Sequence, residues 1–201
     1  MSRAYNQVAR AATSRETEEQ ITAAFLRLLK KKWFDEITLD HIADEAGTTR
    51  QTIIRRYGGK SGVLTAFVDN IDKIIRTHRW KVPVGDIDAA VSSLVDEYED
   101  HGPWLIRTLS LEGRFSELRP GINQGRTGHR EWIAYVFAPW LDKVERADRE
   151  TLTLELIVVT DVWTWQILRN DQKLEPKKVK ELIKNMVERI VCSPNKRKSQ
   201  K

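Results

Sequence analysis

The sequence predicts an all-α protein, with an N-terminal three-helix domain built around a helix-turn-helix and a second helical domain behind it. Three observations lead there. Apolar residues recur at helical spacing along most of the 201 residues. Ten glycines and six prolines are too few for the turn-rich rhythm of a sandwich or barrel. Cap residues also sit where the apolar periodicity starts and stops. With 40% apolar and 31% charged residues, the chain can bury a core and lies outside the disordered range.

The first helix is signalled by capping boxes at Thr13 with Glu16 and Thr17 with Gln20, ahead of an apolar face of Ile21, Phe25, Leu28, Leu29 and Trp33. Thr38 opens the second helix, with Ile37 and Ile42 placed as a hydrophobic staple, and Gly47 closes it. Thr49 then caps a third helix from Arg50 towards Tyr57, which Gly58-Gly59 stops. A longer amphipathic helix follows, carrying Val63, Leu64, Phe67, Val68, Ile71, Ile74 and Ile75.

Pro83 and Gly85 make Lys81–Gly85 the best boundary between domains. Beyond it, helices are expected at 86 to 101, 103 to 113, 126 to 145, 148 to 170 and 176 to 192. Pro120-Gly121 and Asn170-Asp171 are expected in connections. Thr151–Val159 alternates like a strand, but the absence of a turn signal before Leu168 favours helix. Glu155 and Asp161 argue against a membrane span there. The expected organisation is a basic arm (1–15), a helix-turn-helix domain (16–60), a connecting helix and linker (61–82), a C-terminal helical domain (83–192) and a disordered basic tail (193–201).

The net charge is +5, and the positive charge gathers at the two ends. Residues 1–60 carry eleven Lys/Arg against eight Asp/Glu, and the last nine residues carry four against none. A basic N-terminal segment suits a phosphate-bearing partner, and a solvated surface would look the same on charge alone.

Thr38 to Lys60 has the layout that seats one helix in a DNA major groove while another braces it. Ala43, Ala46 and Gly47 permit close approach, and Ile42, Ile53 and Tyr57 form the shared core. Arg50, Gln51, Ile54 and Arg55 are left on the opposite face. Arginine can pair with guanine and glutamine with adenine, while threonine hydroxyls and further arginines hold phosphates. The candidate DNA-binding residues are Thr38, Thr48, Thr49, Arg50, Gln51, Thr52, Ile54, Arg55, Arg56, Tyr57 and Lys60, with a minor-groove contribution from Arg3, Arg10 and Arg15 in the arm. An ordinary helical hairpin with a solvated basic face is the competing reading.

On these residues, and on Lys60 following Tyr57, the chain resembles the TetR (tetracycline-repressor-like) family of bacterial transcription factors. Arg126–Trp132 and Thr160–Arg169 look like divergent forms of that family's ligand-domain segments. The resemblance implies a homodimer bound to a DNA operator of approximate two-fold symmetry. It implies a C-terminal domain, paired through its last two long helices, that encloses a small-molecule effector whose binding weakens operator affinity. Lys60 stands where the family commonly places a lysine near a phosphate. Ile54 replaces the family's usual tyrosine, so Arg55 and Arg56 compensate for that contact or Ile54 meets a thymine methyl. Repressor is favoured over activator; an effector-free regulator, one controlled by a protein partner, and an architectural DNA-binding protein are the alternatives.

Five of the seven tryptophans, Trp104, Trp132, Trp140, Trp163 and Trp165, fall in the C-terminal domain, where they either pack a core or line an aromatic pocket. The candidate ligand residues are Trp104, Thr108, Glu112, Arg126, His129, Arg130, Trp132, Tyr135, Asp161 and Trp165, with a largely apolar or aromatic effector expected. Arg107 is a further polar candidate. Asp161 interrupts an apolar run and so needs a partner: an arginine across the dimer, a helix cap or a cationic ligand. The acidic run Asp96–Asp100 reads as a solvated face.

No catalytic chemistry or cofactor is expected. The four histidines are scattered, with no His-Glu-x-x-His pair, and Cys192 is the single cysteine. Gly59-Lys60-Ser61 lacks the earlier glycine of a phosphate loop, because Ile54 stands there, and Val63 breaks a Gly-x-Ser-x-Gly elbow. The lone cysteine and the lack of a signal-peptide-like run lead to a cytoplasmic expectation.

Overall fold

The computed structural model describes residues 2–192, with side chains from Glu16 onward. The basic tail at 193–201 and the side chains of Arg3, Arg10 and Arg15 lie outside the described residues. The elements are α1 (Ser2–Lys31), α2 (Leu39–Ala46), α3 (Arg50–Tyr57), α4 (Lys60–Arg79), α5 (Ile87–Ser110), α6 (Arg119–Val136), α7 (Ala138–Leu141), α8 (Arg146–Val159), α9 (Val162–Gln166) and α10 (Pro176–Cys192). Single 3-10 turns at Phe34–Glu36 and Ser116–Leu118 and a π-helical turn at Ile167–Asp171 complete the inventory, with no strand among the described residues.

The chain divides into two compact units. One comprises the residues up to Ile71 together with Leu111–Gly121; the other comprises Asp72–Ser110 and the residues from Ile122 onward. Lys81–Gly85 therefore joins α4 to α5 inside the second unit.

The first unit closes on Ile21, Phe25, Leu28, Phe34, Ile37, Ile42, Ile53, Val63 and Phe67, all buried. Phe25 meets Phe34 and Phe67 edge-on, at centroid distances of 6.4 and 5.4 Å. Local signals set α2 and α3. Thr38 Oγ1 accepts from the His41 N–H, Thr49 Oγ1 from the Thr52 N–H, and Gly47 and Gly58 end the two helices in the left-handed region at φ 63° and 74°. The segment Leu111–Gly121 completes the unit from far along the chain. Phe115 lies edge-on to Phe34 at 6.0 Å, Arg114 pairs with Asp35, and Leu118 is buried. A Cβ at Gly121 would come within 2.6 Å of Val68, so glycine permits the close approach there.

In the second unit α5 packs against α9 and α10 over a core that includes Leu94, Trp132, Ile133, Phe137, Leu156, Trp165 and Ile183. Several expected boundaries are corrected. The first helix starts at Ser2, so the Thr13 and Thr17 boxes lie inside it. The helices expected at 86 to 101 and 103 to 113 are one, with Pro103 inside it; Gly102 beside the proline receives the Trp165 ring where a Cβ would clash at 2.3 Å. The helix expected at 126 to 145 instead starts at Arg119, taking Pro120-Gly121 into its first turn, and ends at Val136. Asn170 and Asp171 belong to the π-helical turn rather than to a loop.

The helix expected at 148 to 170 is broken at Thr160. The Thr160 hydroxyl donates back to the Leu156 carbonyl at 2.6 Å, and Asp161 turns extended and accepts from the Trp163 N–H at 2.9 Å. The broken element is also buried on one side only. Leu152, Leu156, Val162 and Trp165 enter the core, while Leu154, Val158, Trp163 and Ile167 are exposed. Arg146–Asp171 is the one stretch among the described residues long and apolar enough to cross a membrane, and this break interrupts it.

Candidate nucleic-acid interface

The helix-turn-helix presents a face of mixed chemistry. α3 buries Ile53 completely and leaves Arg50, Gln51, Ile54 and Arg55 exposed, one helical turn apart on a continuous strip. Thr48, Thr52 and Arg56 are half-buried. The N-cap threonines Thr38 and Thr49 are both exposed. Thr38 Oγ1 spends a lone pair on the His41 N–H, and its hydroxyl proton remains a donor of the kind a phosphate oxygen accepts. Thr49 Oγ1 lies 3.0 Å from Thr52 Oγ1, which ties the first turn of α3 together.

Charge around this strip is lightly held. Arg50 lies 3.4 Å from Asp40 with both side chains exposed, a pairing worth little in water and readily exchanged for a phosphate or a guanine. Arg27 pairs with Glu45 and also donates to its carbonyl, so this ion pair fastens α1 to the end of α2. The Arg27 guanidinium holds the Glu45 carboxyl below its ordinary pKa.

Two candidates are placed differently from their neighbours. Tyr57 turns its hydroxyl into the unit, where burial raises its pKa. Lys60 is half-buried at the start of α4, with Nζ donating to the Phe34 carbonyl at 3.0 Å and standing 4.1 Å from the centre of the Phe34 ring. Partial burial pulls its pKa down, against the opposing pull of Glu117 and Asp35. The side chain that fastens the Phe34–Glu36 turn is therefore one that the family resemblance had marked for a phosphate. No local signal links residues so far apart in sequence.

The ten candidate ligand residues divide between the two units. Glu112 belongs to the first unit, and the other nine to the second. Arg126 and Arg130 are exposed, Arg130 pairing with Glu150. Thr108 donates to the Trp104 carbonyl, and Tyr135 stacks on Trp80. Asp161 has the helix cap as its partner. Trp165 donates to Glu99, which also accepts from Arg169.

His129 and Trp132 belong to a buried network that the sequence did not reveal. Arg79 grips Glu97 through Nε and Nη2, each at 2.8 Å, and its Nη1 lies 2.9 Å from His129 Nδ1. Arginine can only donate, so Nδ1 accepts and the imidazole proton sits on Nε2, donating to Thr160 Oγ1 at 3.0 Å. Tyr98 donates to the Thr160 carbonyl, and Trp132 Nε1 to the Arg79 carbonyl. Burial, reinforced by the Arg79 charge, holds His129 well below its ordinary pKa and neutral. Burial disfavours the Arg79 cation, but Glu97 more than offsets this and raises its pKa. Arg79 was not singled out in the sequence, and the reading of Asp96–Asp100 as a solvated face is corrected: Glu97 is largely buried against Arg79, Tyr98 is buried, and Glu99 accepts from Trp165 and Arg169. No group of His, Cys, Asp and Glu side chains suited to a metal occurs among the described residues.

Comparison with known proteins adds the final layer. Residues 21–67 match the family described as bacterial regulatory proteins, tetR family. No curated protein sequence matches the chain significantly. Among solved structures, a TetR transcription regulator from Haloarcula marismortui superposes with a TM-score of 0.69 at 20% identity, over 90% of this chain and 98% of that one. A TetR-family transcriptional regulator from Streptomyces coelicolor gives 0.68 at 21% identity over 96% of each chain. A second tetR-family regulator from that organism gives 0.67 at 18% identity, over 88% of this chain and 79% of that one. These likenesses extend the family's fold beyond the matched segment. Residues 21–67, which hold these caps, the turn and the outward strip, thus resemble the tetR family of bacterial regulatory proteins, and the chain as a whole shares the fold of those solved structures.

Proposed function

We propose that the protein is a homodimeric, sequence-specific repressor that leaves its operator when a largely apolar or aromatic small molecule binds the C-terminal helices. The observation that carries the sequence-specific part is the α3 strip: Arg50, Gln51 and Arg55 offer directional hydrogen bonds to base edges, flanked by the exposed cap threonines Thr38 and Thr49 for phosphates. Thr48, Thr52 and Arg56 extend the phosphate contacts, and residues 16–60 form the reading domain. Residues 83–192 supply the effector site and the dimer contact.

The dimer reading is supported by the row Leu154, Val158, Trp163 and Ile167, whose exposed apolar surface suits a second copy of the same helices. The effector reading is supported by the concentration of tryptophan and tyrosine beside buried polar groups in the second unit. An effector that favours a dimer with mis-spaced reading heads is, by linkage, bound more weakly by the DNA-bound dimer.

The test is selection of bound duplexes from source-genome fragments, followed by competition with labelled operator. A two-fold symmetric site bound far more tightly than random DNA is the expected result. Equal affinity for every duplex overturns sequence-specific regulation in favour of an architectural role. A tryptophan-fluorescence screen then identifies ligands, and an effector lowers operator affinity roughly 5- to 150-fold, corresponding to a coupling of about 1–3 kcal/mol. A ligand that binds without changing operator affinity is not the effector.

A further inference from the structure

Ile54 is the anomaly of the α3 strip. It is a large β-branched hydrocarbon, 43% exposed, between Arg50 and Gln51 on one side and Arg55 on the other, while its neighbour Ile53 is fully buried and serves the core. Ile54 is not among the buried residues on which the first unit closes. A hydrocarbon placed against a phosphate would strip water from an anion without replacing its hydrogen bonds. The edges of the bases in the major groove are polar with one exception, the 5-methyl group of thymine. Isoleucine is stiff at χ1, so little side-chain freedom is lost when it seats against such a group.

We propose that Ile54 is a specificity-determining residue that packs on the 5-methyl group of one thymine in each operator half-site. Gln51 lies one turn earlier on the same strip and reads an adenine beside that thymine, so the half-site carries an A·T-rich step under the middle of α3. The inference rests on the reading of α3 as the sequence-reading helix, and it names what that helix reads.

The experiment uses the full chain and a selected operator in which each thymine is replaced, one at a time, by deoxyuridine. Deoxyuridine keeps every hydrogen-bonding group and lacks only the methyl. The expected result is one position per half-site where the replacement weakens wild-type binding about fourfold, the value for burying one methyl group. Replacing both symmetric positions multiplies the loss to about 15-fold. The Ile54→Ala variant, which keeps its fold because the side chain is exposed, loses this sensitivity at that position and at no other. An unchanged melting temperature for Ile54→Ala verifies the fold.

Three results overturn the proposal: no thymine whose methyl matters, a variant as sensitive as the wild type, or a variant weakened equally on operator and random duplex. The last would place Ile54 against the backbone. Failure to bind any duplex would instead remove the DNA reading itself, and the two failures are told apart by wild-type binding to the unmodified operator.

Discussion

Arg79 and Glu97 hold opposite charges in a nearly water-free setting, with side-chain exposures of 7% and 11%. Such a pair gives little net stability when intact, but losing one partner strands the other. Glu97→Gln is therefore expected to destabilise the protein by about 3–5 kcal/mol, measured by denaturant unfolding. His129 gives the same network a pH signature. Its folded pKa is depressed, so below about pH 6.5 the unfolded chain takes up a proton that the folded one refuses. The stability contributed by neutral His129 is complete above that pH and declines as the pH falls from there towards the folded pKa. The slope from this one residue approaches about 1.4 kcal/mol per pH unit. Unfolding free energies at pH 7.5, 6.5 and 5.5 should show that decline, and His129→Gln should flatten it.

At the scale of elements, what could be read from the sequence was what adjacent residues decide. Thr38, Gly47, Thr49 and Gly58 each act within four residues, and the helix-turn-helix they punctuate lies where they place it. The last helix opens at Pro176 as expected, with proline at its first position. The break at Thr160 was hidden, because a Thr-Asp pair is also tolerated inside a helix. What distinguishes this one is distant: His129 and Tyr98 meet the hydroxyl and the carbonyl of Thr160. The split expected between 101 and 103 erred in the opposite direction: Pro103 lies inside a continuous α5, with the Trp165 ring against Gly102 beside it. The aromatic residues that composition suggested for a pocket are partly committed to the core, Trp132 and Trp165 both being buried.

The α8 surface supplies an element-level prediction. Val158 is 64% exposed and Leu154 48%, whereas Val159 packs partly against the core. Val158→Glu should therefore convert the proposed dimer to a folded monomer, seen by sedimentation with helical content unchanged. A wild type that sediments as a stable monomer would reject the dimer reading itself.

For the whole molecule, binding to DNA should follow the salt dependence of a polycation meeting phosphates. Thr38→Ala should weaken operator and random duplexes alike. Arg55→Ala should weaken the operator by about 1–3 kcal/mol more than random DNA if Arg55 reads a guanine. Lys60→Ala has a second effect, because it also releases the Phe34 carbonyl. Its loss of DNA affinity should come with a lower melting temperature, whereas Thr38→Ala loses only a cap worth about 1 kcal/mol. Affinities of the three variants at two salt concentrations, beside their melting curves, separate these cases.

The segment Leu111–Gly121 carries a consequence for how the molecule is made. A chain emerging from the ribosome delivers α1 to α4 first, but Phe115, Leu118 and the glycine that fits against Val68 arrive only after α5 has been synthesised. At about 5–20 residues per second the reading head waits several seconds in an unfinished form, with Phe34 and Val68 uncovered. A nascent chain arrested after Arg79 should therefore be cut by protease within the Phe34–Glu36 turn, and one long enough to expose Gly121 should resist. The first unit would thus be complete only after the ribosome has committed to the second half of the chain.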